Sequence, residues 1–441
     1  MPEPVADPTR YEQIMREHSR HIGDAAAVLC DASQAARSLV PVSSEHERVI
    51  RDVAAGVAAP ALVGAVVWML REAERRGLAR LRFLSRDGQI FYELTRRLAP
   101  VVGVDIDIEY VYSSRLTWSL AASDPTRLDE EAWLFNSFMK SNAHDLCARL
   151  GLTLDPYRTL LATAGVSLDP DARADQPRQA EAMRRFLRTP QIADAVGDHI
   201  NETRRMLVDY AAEHLLLDRE TGLVDAGWTG RMINSLARAC GITGPQRPHV
   251  LLWGYEPREV DQAGFDRVAA YMYNTATGDG LQWRVPDAPF LIETFCMGDH
   301  GIVLGYRETS AGHVQPVLQT SGNPAAEAWG LHTYRSTLHA FTEQLTDLPS
   351  QDLRPLIHQL MDSFWCHPSP GEAAAWGSYP YDSDPAATAT RPLARPLDEH
   401  APVRGDRAWI AGALALSSPT ARGRYLAEAS AGELLGTPAA D

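Results

Sequence analysis

The chain of 441 residues is 45% hydrophobic and 22% charged, a composition typical of a soluble globular protein with one large core or several smaller ones. Because 42 Lys and Arg residues stand against 57 Asp and Glu residues, the net charge of −15 disfavours nucleic acids and anionic membranes as partners and favours cationic ones. The five cysteines are widely separated and form no CxxC pair, which argues against a disulfide framework or a cysteine zinc site and indicates reduced, buried thiols.

Two N-terminal stretches bear on localisation. Residues 1–7 lack the basic start and apolar stretch of a signal peptide. Residues 53–70 are uncharged and long enough to test as a membrane span, but Pro60, the alanine and glycine content and the charged continuation at 71–76 favour a buried helix. We therefore expect a cytoplasmic protein.

The pattern of apolar and polar residues divides the chain into five regions. We predict an N-terminal helical lead-in at 1–50, the two halves of an α/β core at 51–123 and 218–310, a helical insertion at 124–217 and a helical C-terminal region at 311–441. The insertion would act as a lid, an acceptor wall or a structural cap. The two remaining expectations are a surface loop at 382–402 and frayed final residues at 432–441.

Polar clusters follow the first two strands of the predicted core. Residues 81–84 predict a strand that leads through a polar turn into a helix at 90–98, and residues 106–112 predict a second strand. Such a βαβ unit places its strand ends at the ligand crevice of a parallel sheet. Guanidinium groups there suit a pyrophosphate, which they bind bidentately. The expected ligand-binding residues at these two strand ends are Ser85, Arg86, Asp87, Gly88 and Arg115.

A third strand is predicted to end at Asp225 and to lead into a helix near Thr229. Unpaired N–H groups and the dipole at such a helix start favour an anion, so the turn is either a phosphate cradle or an ordinary capped turn. The Asp225 carboxylate cannot hold phosphate and would instead bind a metal ion or sugar hydroxyls. The expected ligand-binding residues of the turn are Gly227, Trp228, Thr229, Gly230 and Arg231, with Trp228 forming a wall of a sugar site.

Further strands are predicted at 249–255 and 269–273, before a carboxylate at Glu293 and a second acidic glycine turn at 298–306. A fourth feature, the acidic pair at Asp105 and Asp107, superficially suits a phosphatase of the haloacid dehalogenase type. It lies at the start of a strand instead of its end, which disfavours that class. The histidines at positions 144, 249, 300 and 313 have no metal-ligand spacing.

Three motifs in order resemble the glycan-type phosphoribosyltransferase modules of bacterial polysaccharide clusters. They are residues 83–88, 112–115 and 224–230, with weaker matches at Glu293 and 301–306, and the resemblance spans roughly residues 50–380. It implies an α/β fold with a phosphoribosyltransferase-like parallel sheet, a helical insertion and a helical C-terminal region. The chain departs from phosphoribosyltransferases at Ala226, where a second acid is usual, and at Arg231, where glycine is common.

The resemblance implies transfer of 5-phosphoribosyl from phosphoribosyl pyrophosphate (PRPP) to a hydroxyl of a sugar or aminocyclitol, such as the aminoglycoside neamine in antibiotic biosynthesis. Arg86 and Arg115 would bind pyrophosphate with Mg²⁺, the amides of 229–231 would bind the 5-phosphate, and Asp225 would contact ribose or metal. The base would be Asp87 or Glu293. Since no phosphatase module accompanies the motifs, a separate phosphatase would act on the product.

Two other functions suit the same residues. A nucleotide-sugar-dependent glycosyltransferase also needs a glycine turn and arginines for its diphosphate, and it would not bind PRPP. A non-catalytic sensor on the same fold would bind PRPP without turnover, because fold alone does not decide activity.

Overall fold

The computed structural model describes residues 7–22, 24–135, 142–174, 176–257, 267–285, 289–348, 351–381, 390–400 and 408–430. Strands β1 to β9 are Arg80–Leu84, Asp107–Val111, Thr221–Asp225, His249–Tyr255, Val268–Asn274, Val303–Glu308, Val314–Leu318, Pro380–Tyr381 and Arg391–Pro392. Helices α1 to α17 are Arg10–Ile22, Asp24–Leu39, Glu45–Val53, Ala59–Arg76, Gly88–Val102, Arg115–Ala122, Ala143–Arg149, Arg158–Ala164, Pro177–Leu187, Pro190–Glu213, Arg231–Ala239, Pro324–Trp329, Leu331–Glu343, Arg354–Trp365, Pro370–Gly377, Ile410–Leu416 and Pro419–Ser430.

A five-stranded parallel sheet with the order β2-β1-β3-β4-β5 forms the centre of the α/β fold. Alternate residues of its strands point to opposite faces. Phe83 and Val224 pack in one core with α4 and α5, whereas Leu84 and Leu223 pack in another with α6, α10 and α11. Helices therefore cover both faces, which explains why β3, β4 and β5 are largely apolar. In β1 and β2 charged side chains pair with each other, Arg82 with Asp107 and Glu109.

The five strands of this sheet lie where the apolar runs predict them, with ends that differ by a residue or two. The α/β class is confirmed. The helix after β1 is longer than predicted at both ends, since α5 begins at Gly88 and continues through Pro100.

A continuous helix from Glu45 to Arg76 is, among the described residues, the one helix long and apolar enough to span a membrane. Within its most apolar window, 89% of the residues are buried inside the protein, so the prediction of a buried helix at 53–70 is confirmed. A π-helical turn, Ala54–Ala58, joins α3 to α4 shortly before Pro60, which has no N–H to donate.

The helical insertion and the C-terminal region differ in the elements they contain. The described residues of 124–217 form helices joined by turns and loops, and they have a hydrophobic core of their own that includes Leu146 and Phe186. The predicted helical region at 311–441 also contains the strands β7, β8 and β9. β7 pairs with β6, which precedes the region, and β8 pairs with β9. In the predicted surface loop, residues 382–389 and 401–402 lie outside the described residues, as do the final residues 432–441.

Candidate functional site

The carboxyl ends of β1, β2 and β3 bring the three predicted motifs to one edge of the sheet. Leu84 of β1 lies beside Val111 of β2, and Phe83 lies beside Val224 of β3. The turns that follow these strands therefore start at nearly the same level. In parallel sheets this edge is where ligands bind.

The Ser85 hydroxyl joins the ends of β1 and β2. Its Oγ donates to the Ser113 carbonyl oxygen at 2.6 Å and accepts from the Ser113 N–H at 2.7 Å, and the Ser113 Oγ donates to the Ser85 carbonyl oxygen at 3.1 Å. Both serines are buried. The hydroxyl that we predicted to bind ligand is thus engaged in holding two strand ends together.

Replacing Ser85 with alanine is expected to lower the free energy of unfolding by about 1–3 kcal/mol, because the buried Ser113 N–H loses its acceptor. Chemical denaturation measures this loss. Ser38→Ala, which removes an exposed hydroxyl bonded to the Gln34 carbonyl, is the control and should change stability little. Equal stabilities of the Ser85 and Ser38 variants would contradict the structural role.

Gly88 allows α5 to start directly against β1. A Cβ at this position would lie 2.8 Å from the carbonyl carbon of Phe83, so a larger residue would push the helix away from the strand. Asp87 immediately precedes the helix, and its side chain makes no capping hydrogen bond with it. The close approach fixes the turn that carries Arg86 and Asp87.

The turn after β3 depends on two glycines. Gly227 has a φ of 143°, and a Cβ there would lie 2.5 Å from the Gly254 carbonyl oxygen. Gly230 has a φ of 70° and caps α11, which begins at Arg231, two residues after the predicted start. The peptide bonds Gly227–Trp228 and Ser85–Arg86 are both cis. The first N–H groups of any α-helix make no hydrogen bond to a carbonyl of the same helix, and such groups can bind an anion.

Three carboxyl groups come together at this edge although they are far apart in the chain. Asp87 follows β1, Asp225 ends β3, and Glu293 lies in the 3₁₀-helical segment Pro289–Phe295. Each side chain is partly exposed yet deeply surrounded by protein, as expected of groups that line a cleft. The structure thus unites the three carboxylates that the sequence suggested separately.

Burial raises the pKa of all three carboxyl groups. The pKa of Asp225 rises to about 7, because burial outweighs the hydrogen bond that its Oδ1 accepts from the Ala226 N–H at 2.8 Å. The charges of Glu293 and Asp225 raise the pKa of Asp87 further, whereas Arg86 and Arg115 lower it. A carboxyl group with a pKa of about 7, such as that of Asp225, can exchange protons near neutral pH.

Trp228 connects the glycine turn to Glu293. Its indole N–H donates to Glu293 Oε1 at 2.7 Å, and its ring stacks on Tyr273 with an interplanar angle of 14°. Gly254 makes room for both rings, since a Cβ there would lie 2.8 Å from each of them. The prediction that Trp228 belongs to the site wall is consistent with this position.

Other side chains reach the site without a sequence motif that would reveal them. Burial raises the pKa of the Tyr379 phenol and the Cys296 thiol, and both groups interact with the Asp87 and Glu293 charges. Arg335 donates to Gln89 Oε1 at 2.7 Å and to Glu93 at 2.9 Å, which ties α13 to α5. Cys296, Arg335 and Tyr379 are distant in sequence from the three motifs. Cys30, Cys147, Cys240 and Cys296 are free thiols, as predicted, and all of them except Cys240 are buried.

Among the described residues, no group of three or more His, Cys, Asp or Glu side chains is arranged to hold a metal ion. Mg²⁺ that enters with a phosphorylated substrate needs only one or two protein carboxylates, because phosphate oxygens and water complete its shell. The Asp225 carboxylate offers the oxygen donors that such an ion takes.

No family model matches the chain, and no curated protein matches it significantly.

Proposed function

We propose that this protein transfers the 5-phosphoribosyl group of PRPP to a hydroxyl of a sugar or aminocyclitol acceptor. The observation that carries the proposal is the meeting of Asp87, Asp225 and Glu293 with the charges of Arg86 and Arg115, beside a glycine turn that starts a helix. The motifs that resemble glycan-type phosphoribosyltransferases supply this edge of the sheet. We infer that the parallel sheet is the phosphoribosyltransferase-like core expected from them.

The two anionic ends of PRPP would occupy different turns. Arg86 and Arg115 lie at the ends of β1 and β2, where guanidinium groups neutralise the pyrophosphate that leaves. The turn at 227–231 would hold the 5-phosphate through backbone N–H groups and the Thr229 hydroxyl. Ser85 would contribute by holding the β1 turn in place.

In the transfer step, the acceptor oxygen forms a bond to C1 of the ribose while the bond between C1 and the pyrophosphate oxygen breaks. The electron pair of that bond leaves with pyrophosphate, and the acceptor proton passes to a carboxylate. Glu293 or Asp87 would take this proton, since burial raises the pKa of both and so makes them stronger bases than exposed carboxylates.

Asp225 would hold Mg²⁺ or the ribose hydroxyls. The ion supplies positive charge that neutralises the departing pyrophosphate. The Asp225 carboxylate would be ionised when the cation is bound, because a nearby positive charge lowers the pKa of a carboxyl group.

The charge of the site favours a cationic acceptor. Three carboxyl groups lie near two guanidinium groups, so the site has a net negative charge when all three are ionised, and the whole chain carries a net charge of −15. An aminocyclitol with several ammonium groups, such as neamine, matches this field. Because transfer leaves the 5-phosphate on the product, a separate phosphatase would remove it.

The expected result of adding PRPP with Mg²⁺ is a stabilisation of about 2.7 kcal/mol at a ligand concentration 100-fold above Kd. Thermal unfolding measures this stabilisation, with PRPP in one set of samples and a panel of nucleotide sugars in the others. Stabilisation by a nucleotide sugar instead would identify a glycosyltransferase of the other class. PRPP binding without pyrophosphate release, across a screen of aminocyclitol and sugar acceptors, would identify a sensor.

A further inference from the structure

Trp228 is held in one orientation by contacts on several sides. Its carbonyl oxygen accepts from the Glu256 N–H at 2.7 Å, and its ring lies against Tyr273 in the space that Gly254 leaves open. Its indole N–H donates to Glu293. The side chain is therefore a fixed connection between the turn at 227–231 and the segment that carries Glu293.

We propose that Trp228 is a positioning residue that couples occupation of the 227–231 turn to the orientation of the Glu293 carboxylate. The inference rests on the proposed function, in which that turn receives the 5-phosphate of PRPP. A phosphate bound there would contact the backbone that directly follows Trp228. Any adjustment of this backbone moves the indole, and with it the oxygen to which the indole donates.

The indole group suits this role because its N–H can donate but cannot accept a hydrogen bond. The indole N–H therefore orients the Glu293 carboxylate, which accepts its hydrogen bond. The indole cannot take up the proton that this carboxylate receives from the acceptor substrate. The donor substrate thus arranges the base before the acceptor enters, which predicts that PRPP binds first. Linkage makes the coupling reciprocal, so Glu293 must influence the affinity for PRPP through Trp228.

A double-mutant cycle on PRPP affinity tests this coupling. Trp228→Phe keeps an aromatic ring against Tyr273 and removes the N–H, and Glu293→Ala removes the acceptor oxygen. We expect Glu293→Ala to change the Kd of PRPP with Mg²⁺ about 3- to 30-fold more in the wild-type background than in Trp228→Phe. Trp283→Phe, at another partly buried tryptophan, is the matched control and should leave the effect of Glu293→Ala unchanged.

The indole N–H resonance of ¹⁵N-labelled tryptophan gives a readout independent of affinity. The Trp228 signal is identified by its loss in Trp228→Phe. It should move in Glu293→Ala and stay close to the wild-type position in Glu293→Gln, which keeps an acceptor oxygen. It should also move when PRPP and Mg²⁺ are added to the wild-type protein.

The outcomes separate this inference from the function on which it rests. If PRPP binds, but the double-mutant cycle is additive and the Trp228 resonance does not shift when PRPP is added, the coupling is overturned and the proposed function stands. If PRPP fails to bind the wild-type protein, the proposed function falls and the coupling falls with it.

Discussion

Replacing Asp225 with asparagine is expected to stabilise the ligand-free protein above pH 7 and to remove most of its stabilisation by PRPP. Burial raises the pKa of Asp225 to about 7, far above the value near 3.9 of an unfolded chain. The folded protein therefore loses stability as the pH rises from about 4 through 7, because ionisation is harder in the folded state. Since one pKa unit corresponds to about 1.4 kcal/mol, the loss is on the order of 2–4 kcal/mol.

Denaturant unfolding at pH 5 and pH 8 measures this difference. Asparagine can still accept the Ala226 N–H bond, so the variant should show a shallower fall in stability between the two values. Asp218→Asn is a control of opposite sign, because the Glu220 N–H and Arg80 lower the pKa of Asp218 and favour its ionised form. The same fall in stability for Asp225→Asn and the wild-type protein would contradict the assignment.

The response of this variant to PRPP is the second part of the expectation. Without the carboxylate that would bind the cation or the ribose, the stabilisation of about 2.7 kcal/mol should shrink by more than half under identical ligand conditions. If the variant unfolds at a higher denaturant concentration than the wild-type protein at pH 8 and is stabilised less by PRPP, the Asp225 carboxylate serves ligand binding and not the stability of the fold. A full response to PRPP would remove Asp225 from the donor site.

Replacing Gly227 with alanine is expected to have the largest effect of any single methyl group in the site. The position has a φ of 143°, and the new Cβ would lie 2.5 Å from the Gly254 carbonyl oxygen, which belongs to a strand of the sheet. Strain and overlap together should lower the free energy of unfolding by on the order of 2–4 kcal/mol. The turn would shift, so PRPP binding should be lost as well.

Gly241→Ala provides the matched control. Gly241 also has a positive φ, of 66°, but a Cβ there would meet nothing within 4 Å. This substitution should lower stability by about 1 kcal/mol and leave the response to PRPP intact. If both glycine variants behave alike in urea unfolding and in PRPP binding, the close approach of Gly227 to β4 is not what shapes the turn.

The strand ends were predictable because polar residues stand at or shortly after the end of each strand, and burial on both faces makes β3, β4 and β5 largely apolar. Asp225 ends β3 as predicted, and Arg115 follows β2 after a short turn. The parallel sheet then forces these ends to one edge, which is why residues chosen separately from the sequence meet in space.

Contacts between segments that are distant in the chain could not be predicted from the sequence pattern. Nothing in residues 290–295 indicates that Glu293 accepts a hydrogen bond from Trp228, 65 positions earlier. The sequence likewise cannot show that the Ser85 hydroxyl is used by Ser113, because a serine at a strand end suits a ligand and a neighbouring backbone equally well. Tertiary packing decides which of these partners the side chain binds.

The position of β1 between β2 and β3 also matters while the protein is being synthesised. Arg80 of β1 pairs with Thr221 of β3, 141 positions later, and the helical insertion is made in between. Because the ribosome adds about 5–20 residues per second, β3 is synthesised roughly 7–28 s after β1. Until then one edge of the β1–β2 pair is uncovered and open to association with other chains. The insertion, with its own core, can fold during this interval.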